Sequence, residues 1–377
     1  MGLPPSSPGD APGPRITRGP DILWCANLFA AFSETRPRER LHLSAAAITL
    51  FLTAFVGGLG LLAQMARKSR QAEVTLIVAL LALSLLIATV GTLTGLALLL
   101  RAANVGATGI ERFTFAAAGG AALVVGIAGC ALCVPPLRRV MGGRIGDAFW
   151  ADPPIFLVLW LFVVVLANNV VSLLLFLVEP DVSRLFPGGR LSPGAVLTSQ
   201  LPFFAVALLG VGVGVRRNLR ETFERLGYRS LSVKQLGVVV AFVGGALALS
   251  AAADALFAAL QPELYREVGE ISDSLFDPRG LSPVSAVLFA LLIGVGAGLG
   301  EETLFRGAVQ PVLGILGTSV LFASMHVQYG PSLLLVYVFV LSVGLGLLRR
   351  YINTTASFLA HAAYNSLGII FVYFFGV

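Results

Sequence analysis

The stretch VTLIVALLALSLLIATVGTLTGLALLL, from Val74 to Leu100, holds 27 residues without one charged side chain. A helix needs about 20 mostly apolar residues to cross the hydrocarbon core of a bilayer, so this run reads as a membrane span. Runs of the same kind recur along the chain. They lie at Leu43 to Gln64, Phe113 to Val134, Pro154 to Val178, Gly194 to Val215, Leu236 to Phe257, Pro283 to about Gln310, a shorter one around Thr318 to Val327, Ser332 to Leu348, and Thr355 to Phe375. With Val74 to Leu100 they predict about ten spans. The composition agrees: 56% of the 377 residues are hydrophobic and only 12% are charged, too little polar surface to coat a water-soluble body of this length. The expected fold class is therefore all-α, a polytopic transmembrane bundle.

Four segments are expected. Residues 1–41 form a proline-, glycine- and arginine-rich tail without the apolar core or cleavage site of a secretory signal, read as disordered or surface-associated. Within it, Ile22 to Phe32 is apolar enough to lie on a membrane surface but too short to span. Residues 42–190 supply membrane helices of no assigned role, residues 191–282 lead into the catalytic region, and residues 283–377 carry the chemistry.

Lysine and arginine in short loops are retained on the cytoplasmic side. They gather at Arg67, Lys68 and Arg70; at Arg138, Arg139 and Arg144; at Arg216, Arg217, Arg220, Arg225, Arg229 and Lys234; and at Arg349 and Arg350. With ten helices all four groups fall on one side. The loop from Gln261 to Gly280 then faces outward, and its Glu263, Glu267, Glu270, Asp273 and Asp277 make it acidic. The same rule sends the N-terminal tail outside despite its five arginines, beside Asp10, Asp21, Glu34 and Glu39, an inconsistency that one helix more or fewer near the start would remove. The net charge of +6 is spread over loops between spans, so topology accounts for it and a nucleic-acid partner is not expected. Cys130 and Cys133 form a C-x-x-C pair inside an apolar run with no second pair, and read as small buried residues; Cys25 stands alone, so no disulfide framework follows.

An ionisable side chain at the centre of a membrane helix is disfavoured by roughly 2.5–3.5 kcal/mol, so intramembrane charges mark function. The first six spans hold only isolated polar residues, among them Asn168, Asn169, Gln200 and Asp254, and the two asparagines read as interhelical hydrogen-bonding residues. The C-terminal spans differ. Gly300 to Gly307 reads Gly-Glu-Glu-Thr-Leu-Phe-Arg-Gly. Glu302 and Arg306 are four apart and share a helix face, so the guanidinium can orient that carboxylate, while Glu301 points about 100° away around the axis. The next run ends at Phe322-Ala-Ser-Met-His326, and the last contains His361-Ala-Ala-Tyr-Asn365, which account for two of only three histidines. His361 and Asn365 again share a face.

Spacing places these residues at one depth. If the helix starts at the Ser282–Pro283 cap and the chain turns at Gly314 to Gly317, Glu301 and His326 lie about 21 and 15 Å below the turn, and His361 lies about 16 Å below the turn that follows Arg350. Pro311 is expected to kink the helix rather than end it, with Gly307 providing room. Gly294, Gly296, Gly298 and Gly300 form two overlapping G-x-x-x-G spacings suited to close helix packing.

The motifs E-E-x-x-x-R, F-x-x-x-H and H-x-x-x-N, in this order on successive membrane helices, resemble the CAAX protease and bacteriocin-processing family over about Pro283 to Val377. The Arg306–Gly307 step and Gln310 also look like that family. The resemblance implies an intramembrane endopeptidase acting on a membrane-associated protein or peptide, in a bacterial inner membrane, with Glu301 and His326 activating water, Glu302, Arg306 and Phe322 in support, and His361 and Asn365 as oxyanion donors. The bare chemistry runs the same way, since a carboxylate in low dielectric can serve as general base and His and Asn can donate to a developing oxyanion. No serine, threonine or cysteine stands out as a nucleophile. No cofactor is expected on this reading. Two alternatives stay open: a catalytic zinc held by Glu301, His326 and His361, although no H-E-x-x-H is present, and a non-catalytic scaffold or transporter using the same charges. No internal repeat favours the transporter.

Overall fold

The computed structural model describes residues 39–104, 106–134, 152–176 and 190–376. The Ile22 to Phe32 segment, Cys25, and the group Arg138, Arg139 and Arg144 lie outside the described residues, as do most of the N-terminal tail and the end of the run to Val178. Twelve α-helices follow in chain order, and these residues contain no named strand. They are α1 (Glu39–Ala66), α2 (Arg70–Asn104), α3 (Gly109–Cys133), α4 (Pro153–Leu175), α5 (Pro193–Gly210), α6 (Leu219–Leu226), α7 (Val233–Leu260), α8 (Pro262–Phe276), α9 (Pro283–Glu302), α10 (Gln310–Ser324), α11 (Leu333–Tyr351) and α12 (Thr354–Phe375). A π-helical stretch, Thr303–Val309, joins α9 to α10. Among the described residues nine helical segments are long and apolar enough to cross a membrane, so the protein is an integral, multi-pass membrane protein with an all-α bundle.

The eighth expected run, Thr318 to Val327, is the return limb of a hairpin rather than a separate full-length helix. Pro283–Ser324 is one continuous helical run of 42 residues, but Gly314 within it has φ 69° and ψ −179°. A straight helix would separate Phe305 from Phe322 by about 25 Å. Their ring centroids are 5.1 Å apart, so the chain doubles back at Gly314. The helical part of the returning limb, Ile315 to Ser324, rises only about 15 Å, and the segment after it carries the chain on to the acidic end, where the Leu333 N–H donates to Gln261 Oε1 at 3.0 Å. Glycine is needed at that bend because a Cβ is strained at this positive φ. The start of the run matches its sequence: Ser282 accepts a hydrogen bond from the Ser285 N–H and Pro283 occupies the first turn. Pro311, in contrast, does not kink an α-helix. It sits in the first turn of α10, after the π-helical stretch has already changed the hydrogen-bonding register, with the Gln310 N–H reaching the Phe305 carbonyl five residues back. Nor does Gly307 make room for it; a Cβ there would approach Leu226 of α6 to 2.9 Å, so this glycine admits a neighbouring helix.

Two apolar cores result. One joins α1 and α2 to the end of α3 and the start of α4, through Leu76, Leu80, Phe156 and Trp160. The other joins α7, the π-helical stretch, α10, α11 and α12 around Phe305, Phe322 and Leu345. Helix α5 bridges them, meeting α1 at Gly60, where a Cβ would stand 2.9 Å from the Gly210 Cα, and meeting α9 on its other side. The four glycines of α9 divide their work. Gly294 and Gly298 face α12, where a Cβ on Gly294 would stand 2.1 Å from Ser366 Oγ; Gly296 and Gly300 face Val196 and Gln200 of α5. Each G-x-x-x-G spacing thus admits a different neighbour. Asn169 donates to Ser324 Oγ at 3.1 Å, fastening α4 to the end of α10, and Asn168 donates to Asn169. Cys130 and Cys133 sit in α3 without a disulfide.

Three of the basic groups meet at one end of the bundle. Arg67 pairs with Asp152, Arg216 donates to Gln64, and Arg349 packs on Gly227. The acidic loop lies at the other end, folded as α8, with Arg279 bridging Asp273 and Asp277. This division is the one expected from loop charge.

Candidate functional site

Helix α9 brings two adjacent carboxylates into the bundle and the π-helical stretch brings Arg306. Glu302 and Arg306 have no exposed surface. The Arg306 Nε stands 3.2 Å from Glu302 Oε2, an ion-pair distance without the alignment of a hydrogen bond, while Nη2 donates to Ser342 Oγ at 3.1 Å. The guanidinium lies over the Phe322 ring, 4.8 Å from its centroid. The other oxygen of Glu302, Oε1, accepts from His361 Nδ1 at 3.0 Å. A single buried carboxylate therefore holds both the arginine and the histidine, and it dictates the histidine's orientation: Nδ1 is occupied, and Nε2 is the nitrogen left for other partners.

His326 is fixed in the same way by a different acceptor. Its Nδ1 lies 2.9 Å from the Phe322 carbonyl oxygen, which can only accept, so Nδ1 carries the proton and Nε2 is free. The Phe322 ring fills the space between the parts, with its centroid 4.8 Å from that of His326 and 6.0 Å from that of His361. Behind the site, Thr303 Oγ1 donates to the Leu299 carbonyl, so the Tyr228 hydroxyl is the donor in its 2.5 Å contact with Thr303. Burial pushes the Tyr228 phenol up to about 12, which keeps it a donor.

Glu301, His326, His361 and Asn365 all line one cavity of about 530 Å³, whose wall also includes Phe305, Tyr337 and Tyr364. The four residues that spacing places at a common depth thus share a space. Glu302 and Arg306 stand behind its wall. Asn365 makes no side-chain hydrogen bond among the described residues, so its amide is available to an occupant. At the acidic end, Ser272, Leu275 and Phe276 of α8 close over the cavity.

Several contributors escaped the reading of the sequence. Gln200 of α5 donates through Nε2 to Glu301 Oε1 in a long contact of 3.4 Å, and its own Oε1 is buried without a partner. An amide in an otherwise apolar span was its only signal, and nothing in the local sequence pairs it with a residue 101 positions away. Ser342, in the middle of α11, carried no signal. Tyr337 and Tyr364 join hydroxyls at 2.8 Å, and Tyr364 donates to Ser250 Oγ at 3.0 Å, forming a polar strip along the cavity. Gln310 donates to the Gly346 carbonyl at 2.9 Å and ties α10 to α11.

Residues 283–367 match the family model described as type II CAAX prenyl endopeptidase Rce1-like. The matched Rce1-like domain begins at the first residue of α9 and ends within α12, so it holds all three motifs. The match supports CAAX-type protease activity within the membrane. Comparison with curated proteins and with solved structures gives no match. Gln200, α5 and α8 lie outside the Rce1-like domain and still contribute to its cavity.

Proposed function

We propose that the protein is a glutamate-dependent endopeptidase of a bacterial inner membrane, which hydrolyses a peptide bond of a membrane-associated protein or peptide. The observation that carries this reading is the shared cavity of Glu301, His326, His361 and Asn365. Glu301 takes a proton from a water molecule that the free Nε2 of His326 helps to orient. The oxygen forms a bond to the carbonyl carbon, and the electrons of the carbonyl double bond move to its oxygen. His361, protonated on both ring nitrogens so that Nδ1 keeps its bond to Glu302, donates from Nε2 to that oxyanion, and the Asn365 amide donates beside it. The tetrahedral intermediate collapses by breaking the C–N bond, and the proton held by Glu301 passes to the departing amine. Glu302 and Arg306 touch no reacting atom; they keep His361 in the orientation that aims Nε2 at the oxyanion.

Direct attack by water is favoured over a covalent intermediate because, among the described residues, no hydroxyl or thiol is hydrogen-bonded to either histidine. A zinc held by Glu301, His326 and His361 would also use the two free Nε2 atoms, since metal-bound histidines commonly have the second nitrogen tied down in this way. Against it, the sequence has no H-E-x-x-H, and the Asn365 amide beside His361 suits an oxyanion better than a metal. The reading is tested by comparing peptide termini in membranes holding the wild-type chain and the Glu301→Gln variant. New termini that depend on Glu301 are expected; identical terminal profiles would overturn the proposal.

A further inference from the structure

The basic end of the bundle is more ordered than retention of positive loops requires. Gly227 ends α6 in a left-handed conformation, φ 85°, and the Arg349 guanidinium lies in the space its missing side chain leaves. A Cβ on Gly227 would stand 2.6 Å from Nη2, 2.7 Å from Cζ and 2.9 Å from Nε of Arg349. The Nε is shut off from solvent and bonded to nothing. Arg225, two residues before Gly227, donates through Nη1 to the Gly307 carbonyl at 3.4 Å. Arg225 and Arg349 repel each other, and burial first and this repulsion second hold the Arg225 guanidinium below its usual pKa. Arg229 adds a further repulsive charge to Arg349.

Among the described residues, carboxylates pair with Arg67, Arg70, Arg220, Arg279 and Arg306. No described ion pair includes Arg225 or Arg349. Exposed charges such as Arg220 suffice for topology, so the half-burial of two guanidiniums with no carboxylate partner calls for another cause. Like charges partly withdrawn from water are stabilised when an anion joins them. Planar guanidinium forks fit phosphate oxygens, and loop charge assigns this end of the bundle to the cytoplasmic leaflet, where anionic headgroups concentrate.

We propose that Arg225 and Arg349, on the floor provided by Gly227, bind a phosphate-bearing anion at the basic face of the membrane. The occupant would neutralise Arg225 while that residue holds the Gly307 carbonyl, within the π-helical stretch that also carries Arg306. The site would thus join the membrane surface to the segment that positions the buried Glu302 pair. The source of the phosphate is a lipid headgroup or a free ion, and the two are separable.

The full-length protein in neutral detergent is titrated with dihexanoyl phosphatidic acid, dihexanoyl phosphatidylcholine and inorganic phosphate at constant ionic strength, with binding read by calorimetry. Saturable binding of phosphatidic acid, or of phosphate, is expected. Arg349→Gln and Arg225→Gln should each weaken it by about tenfold, as loss of one charge-assisted hydrogen bond does, and Arg220→Gln should leave it unchanged. Tighter binding of phosphatidic acid than of phosphate assigns the site to a headgroup; equal binding assigns it to a free anion. The proposal is overturned if neither phosphate probe saturates, if phosphatidylcholine binds as well as phosphatidic acid, or if Arg220→Gln weakens binding as much as Arg349→Gln. If one of the two site variants does not fold, the other decides.

Discussion

Replacing Arg306 by methionine keeps most of the side-chain volume and removes the charge. Glu302 would then be left in a space closed to solvent, with His361 as its one remaining partner at 3.0 Å. Breaking one partner of a buried ion pair destabilises by about 3–5 kcal/mol, and loss of the contact with the Phe322 ring adds about 0.5–2 kcal/mol. In a domain of 150–250 residues each kcal/mol lowers Tm by roughly 2–4 °C, so a fall of roughly 10 °C is the expected scale. Thermal unfolding of the purified variant in detergent, followed by tryptophan fluorescence, measures it. The double variant Glu302→Gln with Arg306→Met removes both charges and should be less destabilised than the sum of the two single variants, because the uncompensated charge is gone. An Arg306→Met protein melting within about 1 °C of wild type, or additive single variants, would refute the buried pair as the support of the site.

Other substitutions probe separate parts. Asn365→Ala removes one oxyanion donor and should lower kcat about 10²- to 10³-fold with little change in Tm, measured on a substrate found by terminal proteomics. Gln200→Leu removes a single long hydrogen bond to Glu301 and should lower kcat by no more than about tenfold with KM unchanged. Gly294→Ala drives a Cβ against Ser366 Oγ and the Ala362 carbonyl, and should destabilise the protein by about 1–3 kcal/mol in the same unfolding assay.

The bundle was legible because hydrocarbon imposes a length and polarity rule on every span, and runs such as Val74 to Leu100 satisfy it without reference to their neighbours. The motif residues were legible for the complementary reason: charges and histidines inside apolar runs are conspicuous, and i,i+4 spacing already places Glu302 with Arg306 on one helix face. The hairpin formed by the seventh and eighth runs was half legible. Gly314 marked the turn, but the apolar count could not show that the returning limb is helical for only about half of its crossing and finishes in a non-helical segment. Contacts between distant helices were not legible. Glu302 reaching His361, Gln200 reaching Glu301 and Arg349 lying on Gly227 depend on helix rotation and packing, which local periodicity does not specify. Gly307 shows the same limit: its lack of a side chain was visible, but its reason, the approach of Leu226, was not.

Water activation by Glu301 without a metal is tested most directly with the purified wild-type protein and the Glu301→Gln variant, both exhaustively treated with chelator and given a peptide identified by the terminal comparison. The account predicts that the chelated wild type still cleaves and that Glu301→Gln, folded to the same Tm, does not. Activity that disappears on chelation and returns with zinc, or cleavage by Glu301→Gln at the wild-type rate, would contradict it.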